Sequence, residues 1–342
     1  MKIGLVTIYK CYNFGSFYQA YGLQKHLEDL GHEVSFLPLD DSYNKKFRLH
    51  KQFNRDIKRD FFSLKSCLAY NNDWHLLKIA KKNDKNFDLV IIGSDEIWSI
   101  NNKTFTPAPE YYGLNLPSKK AFCYATCVGR SSLADFKERP DLLEGIKNLS
   151  FVSARDEATE EFLKSLLPNT DIPRVLDPSF LLDWEKIEKP VSKENYILVY
   201  TYDGYWGFSD EQIKATKDFA KNQNLPLVSV GFKNDWCDIS VPASPREFLG
   251  YLRNSSFVVT DTFHGTAMSI QYKKQFISMG KGKQKVESLL GELGINGRIY
   301  SKENPFEAII SEPIDYTAVN QTISEKLDTS KNFLLEKIRT LK

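Results

Sequence analysis

"VVTDTFHGTAMS", residues 258–269, decides how the chain is read. The apolar run Phe257-Val258-Val259 reads as a buried strand that gives way at Asp261 and Thr262. A helix-like pattern follows Phe263, His264 and Gly265. Strand, tight junction and helix in succession are the repeating unit of a parallel α/β sheet.

The same alternation extends on both sides. Residues 195–202 and 227–232 read as strands, with a helix between them opened by the Ser209/Gln212 pair. Ser244-Pro245-Arg246-Glu247 is a strong helix start, with a cap, a proline in the first turn and an acid three residues on. After it come a strand at 257–260, a helix at 264–273, a strand at 276–279 and a helix at 286–293. The first half repeats the theme, with strands expected at 3–8, 34–37, 88–92, 121–127 and 151–153. Ser16 with Gln19 predicts a capped helix carrying Phe17, Ala20, Leu23, Leu27 and Leu30, closed by Gly31. The charged stretch 183–194 reads as a linker. The expected fold class is α/β, with two Rossmann-like domains whose mostly parallel sheets face a cleft. Their expected extents are residues 1–185 and 190–342, with a tail helix after 320 that can cross back over the linker.

Totals exclude several function classes. The chain has 342 residues and a formal net charge of +2, so bulk charge does not argue for nucleic acid. Its longest apolar runs are strand-sized, far below the ~20 residues of a membrane span. "MKIGLVTIYK" reads as a first strand rather than a signal peptide. The five cysteines, at 11, 67, 123, 127 and 237, are scattered and lack a Cys-x-x-Cys pair. Reduced thiols in a cytoplasmic protein are the expectation. Residues 45–65 stand apart: eight cations face only Asp56 and Asp60, a net +6, with Phe47, Phe53, Phe61 and Phe62 interleaved. This stretch reads either as a solvated helical face or as a peripheral contact with anionic lipid at the inner face of a membrane.

Chemistry is expected beyond the carboxyl ends of the strands. Asn13, Phe14, Gly15 and Ser16 open a helix, and read as an anion-holding loop or an ordinary turn. Gly93-Ser94-Asp95 follows a strand, and Asp95 is a candidate base or hydroxyl acceptor, or else a helix cap. Arg155 can hold a phosphate or carboxylate in a fork, or sit in a surface turn with Asp156. Asp177 before Pro178 reads as structural. His264, in the first turn of its helix, suits a group that moves a proton beside an anion; capping the helix is the competing reading. There is no His-Glu-x-x-His, Asp-x-Asp or Cys/His cluster, so a dedicated metal site is not expected.

Taken together, "NFGSFYQAYGLQKHLEDLGHEV", "DLVIIGSDEIW", "SARDEATEEFL", "VLDPSFLL" and "VVTDTFHGTAMS" resemble, in order, the polysaccharide pyruvyl transferase family. The resemblance implies a GT-B-like pair of domains, the first on the acceptor side and the second on the donor side. It implies transfer of a pyruvyl group from phosphoenolpyruvate to a lipid-linked or nucleotide-linked sugar, with a cyclic ketal formed, phosphate released and no cofactor needed. His264 would be the acid/base or phosphate-contacting residue, Arg155 an anion clamp and Asp95 the group that activates the acceptor hydroxyl. Asn13, Phe14, Gly15, Ser16, Ser94, Thr262, Phe263 and Gly265 would line the substrates. Some relatives carry Arg where this chain has Thr262, and many have a Gly-Arg pair where it reads "MGKGKQK". Lys281 or Lys283 would then supply the missing charge. A glycosyltransferase using a sugar nucleotide, and a non-catalytic sugar-binding protein of capsule assembly, are the competing readings.

Overall fold

The structure, a computed structural model, describes residues 1–39, 57–102 and 108–342. Positions 45–56 of the basic stretch lie outside the described residues. The described chain divides into two compact units. The first holds residues 1–39, 74–182 and 324–342, and the second holds 57–73 and 183–323. The units are thus not two continuous halves. Residues 324–342, expected with the C-terminal domain, lie in the first, and 57–73 lie in the second.

In the first unit the chain runs through β1 (Lys2–Val6), α1 (Phe14–Asp29) and β2 (Glu33–Phe36). Helix α2 (Ile57–Trp74) belongs, up to Asp73, to the second unit. The first unit resumes with β3 (Leu89–Ile92), β4 (Ala121–Cys123), α3 (Pro140–Lys147) and α4 (Glu157–Leu166). Its sheet has the order β2-β1-β3-β4, with every pair parallel. β3 is buried throughout, as an apolar run in a sheet covered on both faces must be. Its core includes Val6, Val90, Ile92, Trp98, Tyr111 and Phe162.

The second unit carries β5 (Ile197–Tyr200), α5 (Asp210–Gln223), β6 (Leu227–Val230), β7 (Ile239–Val241) and α6 (Pro245–Asn254). Next come β8 (Phe257–Thr260), α7 (Phe263–Gln271), β9 (Phe276–Ser278), α8 (Gln284–Glu292) and α9 (Phe306–Ser311). The order is β7-β6-β5-β8-β9, again all parallel. α10 (Tyr316–Thr340) starts in the second unit, where the Tyr316 hydroxyl donates to Lys274 O. Its remainder is in the first, with Phe333 5.9 Å from the Phe122 ring and Ser330 accepting from Leu176 N at 2.8 Å.

Three local expectations change. Helix α1 begins at Phe14, not after Ser16, because the Asn13 carboxamide caps it by accepting from Gly15 N at 2.8 Å. Ser16 and Gln19 are then inside the helix, with side chains buried. The strand expected over 121–127 stops at Cys123, where Ala125 takes a φ of 52° that ends the extended chain. The strand expected at 151–153 reduces to single bridges of Ala154 with Thr126 and Arg174. The capping boxes at Ser209/Gln212 and Ser244/Glu247 both form.

Gly22 fixes how α1 meets the turn at 178. A Cβ there would lie 2.4 Å from Pro178 O, a backbone atom that cannot swing away. Gly22→Ala should therefore lower the unfolding free energy by about 1–3 kcal/mol despite the better helix propensity of alanine. Urea unfolding reads this directly, and an unchanged midpoint would show that the close approach constrains nothing.

Candidate functional site

Each sheet reverses its strand order once. In the first unit the chain passes from β1 out to β2, then returns to place β3 on the other side of β1. In the second it runs β5, β6, β7 outward and returns with β8 beside β5. The carboxyl ends of β1 and β3, and of β5 and β8, are the switch points where open α/β sheets bind ligands. The residues singled out from the sequence fall at these two places.

At the first switch point Gln19 joins three elements. Its amide nitrogen donates to Ile8 O at 2.8 Å and Ser16 O at 3.0 Å, and its oxygen accepts from Thr7 Oγ1 and Ser94 N, both at 3.2 Å. The Gly93-Ser94 peptide bond is cis and Asp95 has a φ of 78°. A non-glycine residue held at such a φ is strained, and strain of this kind gathers at functional sites. Asp95 is 3.5 Å from Ser16 Oγ and accepts from Glu96 N at 2.9 Å. Arg155 stands behind it. Its Nη1 donates to Asp177 Oδ2 at 2.9 Å and lies 3.8 Å from Asp95 Oδ1.

Only 2% of the Arg155 side chain and none of the Asp177 side chain is exposed. Burial alone would lower the guanidinium. The carboxylates of Asp177, Asp95 and Asp156 outweigh it and hold Arg155 well above its ordinary value. Arg155 is thus a buried partner of the chain's own carboxylates, where the sequence suggested a fork offered to substrate. Ser94 Oγ also donates to Asp177 Oδ2, at 3.2 Å. Cys127 donates to Asp156 Oδ2 at 3.0 Å, and burial pushes its thiol up to about 12, so it is no nucleophile at neutral pH.

At the second switch point Thr260 Oγ1 donates to Tyr200 O at 2.7 Å, tying β8 to β5. Thr262 caps α7, accepting from Gly265 N at 2.9 Å. Gly265 is needed because a Cβ would sit 2.3 Å from Thr260 Oγ1 and 2.8 Å from the Tyr200 ring. His264 follows in the first turn, 9% exposed, with its ring edge-on to Phe263 at 5.0 Å. The first-turn N–H groups of a helix have no intrahelical acceptor, so anions are favoured here. Asp261 is buried at the end of β8, and Lys283, from the turn after β9, reaches its Oδ2 at 2.5 Å. Lys281 instead extends toward Glu303 at 3.6 Å and is 63% exposed.

The model of the polysaccharide pyruvyl transferase family matches residues 13–280. The chain belongs to that family. No curated protein matches it. Among solved structures, the S. aureus MnaA–UDP co-structure shares 12% identity at a TM-score of 0.54, covering 100% of this chain and 98% of that one. The UDP-GlcNAc 2-epimerase from Neisseria meningitidis, bound to UDP-GlcNAc, shares 10% at 0.52, covering 99% and 100%. At these identities the likeness shows the fold alone, two parallel α/β sheets of the GT-B-like class.

Of the residues proposed for this pyruvyl transferase family member, the first switch point gathers Asn13, Ser16, Ser94, Asp95 and Arg155. The second gathers Thr262, Phe263, His264, Gly265 and Lys283. Phe14 and Gly15 are buried in α1. Gln19 and Thr7 went unassigned because the Ser16–Gln19 spacing reads equally as a cap. Asp177 read as a turn residue because nothing in its neighbourhood of the chain names Arg155, 22 positions away, as its partner. Tyr205, 92% exposed, and Trp206, 69% exposed, are adjacent aromatics on the loop after β5. Among the described residues no group of three or more His, Cys, Asp or Glu is placed to hold a metal ion.

Removing the guanidinium leaves the buried Asp177 carboxylate without its ion partner. Arg155→Met should cost about 3–5 kcal/mol in urea unfolding, and Arg155→Met/Asp177→Leu should recover most of it. A single variant with the parent midpoint would show that the pair does not organise this switch point.

Proposed function

We propose that this protein transfers the pyruvyl group of phosphoenolpyruvate to two hydroxyls of one sugar in a cell-surface polysaccharide precursor, forming a cyclic ketal and releasing phosphate. The observation that carries the reading is His264 in the first turn of α7 at a switch point, in a chain whose family is the polysaccharide pyruvyl transferases.

The reaction needs few parts. Two carbon–oxygen bonds form at C2 of the donor, and the bond from C2 to the phosphate oxygen breaks. One hydroxyl proton ends on the donor methylene, which becomes a methyl group, and the other leaves with phosphate. His264 would deliver the proton to the methylene carbon, where the helix N-terminus and Lys283 favour the adjoining phosphate or carboxylate. Lys283 acts as a point charge, tethered by Asp261 and 37% exposed. Asp95 would orient the acceptor hydroxyl and take its proton, while Arg155 positions Asp95 from within the unit. Tyr205 and Trp206 lie on the loop after β5, their rings 5.2 Å apart and at 84°. Such faces suit the C–H side of a pyranose, and the carboxylate of Asp203 beside them is held by Arg59 at 2.7 Å. Glycosyl transfer from a sugar nucleotide has only the fold in its favour, and a fold does not fix a function.

Phosphate release from phosphoenolpyruvate, measured against acceptors containing galactose, N-acetylglucosamine or N-acetylmannosamine, tests the reading. His264→Ala should lower acceptor-dependent release by about 10²–10⁴-fold. Silence with every acceptor, together with no phosphoenolpyruvate binding by calorimetry, would turn the assignment to sugar-nucleotide chemistry. Trp206→Ala should raise the acceptor KM roughly fivefold, about 1 kcal/mol, with kcat unchanged. A fall in kcat instead would place the ring in the chemical step.

A further inference from the structure

Helix α2 turns an apolar stripe outward. Ile57, Phe61, Leu64 and Leu68 are 84%, 56%, 38% and 58% exposed. Their spacing of four, three and four residues puts them on one face of a helix. The opposite face is the buried one, with Cys67, Tyr70 and Asp73. The helix is fastened by that inner side at both ends. Asp73, fully buried, accepts from Arg246 N and Nε, both at 2.9 Å, at the start of α6, and Lys189 lies 3.4 Å away. Arg59 pairs with Asp203 at 2.7 Å and with Asp235 at 3.0 Å. The stripe is therefore presented by a fixed element, and four large side chains in a row form a contiguous patch of the kind that marks an interaction surface.

We infer that α2 seats the protein on an anionic bilayer surface through Ile57, Phe61, Leu64 and Leu68. Charge complementarity selects this occupant. Lys58 and Lys65 border the stripe, and the Lys65 ammonium lies 4.4 Å over the Phe61 ring. Their alkyl stems cover apolar surface while their charges reach lipid phosphates. Residues 57–65 carry Lys58, Arg59 and Lys65 against Asp60, a net +2, and are the described part of a stretch, 45–65, that is net +6 in sequence. Two copies of that stretch repel one another, whereas an anionic leaflet attracts it. Among the described residues no helix is long and apolar enough to cross a membrane. α2, 18 residues long with one polar side anchored, fits a helix that lies in the interface. The inference does not depend on the proposed reaction.

The test is co-sedimentation of the full chain with vesicles of phosphatidylcholine alone, and of phosphatidylcholine containing phosphatidylglycerol. Binding is expected only with phosphatidylglycerol, and should weaken as salt is raised. Phe61→Glu/Leu68→Glu should reduce the bound fraction at least tenfold, and Lys58→Glu/Lys65→Glu severalfold, with circular dichroism of both unchanged. Light scattering on the same samples supplies the rival outcome. A parent dimer that Phe61→Glu/Leu68→Glu converts to monomer, without any vesicle binding by the parent, would overturn the inference in favour of a second copy. Binding that ignores either lipid charge or the Phe61 and Leu68 changes would overturn it as well.

Discussion

Every strand paired within the two described sheets is parallel, and that single constraint decides where polar chemistry can be placed. A parallel sheet is covered by helices on both faces, so its strands must be apolar along their length. β3 and β5 obey this, each buried at every position. Polar and charged side chains can then gather only where strands end. Where a helix follows a strand, as α1 follows β1 and α7 follows β8, its first turn supplies unpaired N–H groups at the same end. Where strand order reverses, two strand ends stand side by side, β1 with β3 and β5 with β8. Thr7 with Ser94, and Thr260 with His264, occupy those positions because the topology leaves few others.

A site built this way needs internal support, since its residues sit on turns rather than on the sheet. The first unit supplies it with Gln19, whose amide satisfies both its nitrogen and its oxygen on the turn after β1, on α1 and on the loop after β3. Arg155 and Asp177 add charge to the same support. Desolvating a guanidinium and a carboxylate costs several kcal/mol each, and only close mutual geometry offsets that. The pair at 2.9 Å is therefore better understood as fixing where Asp95 stands than as adding stability. The strained φ of Asp95 is consistent with a residue held by its surroundings.

The alternation of strands and helices was legible from the sequence because apolar runs and capping pairs are local signals. Ser209/Gln212 and Ser244/Glu247 form the boxes that their spacing predicts. Ser16/Gln19 has the same spacing and forms none. There Asn13 takes the cap, and Gln19 is drawn inward by partners 11, 12 and 75 positions away. Local pattern cannot show such partners. The same limit hid the link between Arg155 and Asp177, and the membership of residues 324–342 in the first unit. The placement of His264 was legible because strand, cap and helix lie within a dozen residues. The outward stripe of α2 was half legible: the cations and phenylalanines stand out, but which face is anchored depends on Asp73 and its distant partner Arg246.

The departures from the family pattern have a physical account in the second unit. Where the resemblance leads one to expect arginine, Thr262 spends its hydroxyl on the Gly265 amide and so completes the cap of α7. An arginine there would bring charge but lose that cap. The charge arrives instead from the next strand-to-helix turn, where Lys283 is drawn to Asp261 at the end of β8. Capping and charge are thereby divided between two neighbouring turns. A lysine cannot reproduce the planar two-pronged grip of a guanidinium, so an anion held here is fixed by position at the helix start and by a single ammonium. In the proposed reaction such a grip would set fewer angles on the ligand and would leave more of its orientation to His264 and to the groups that hold the acceptor.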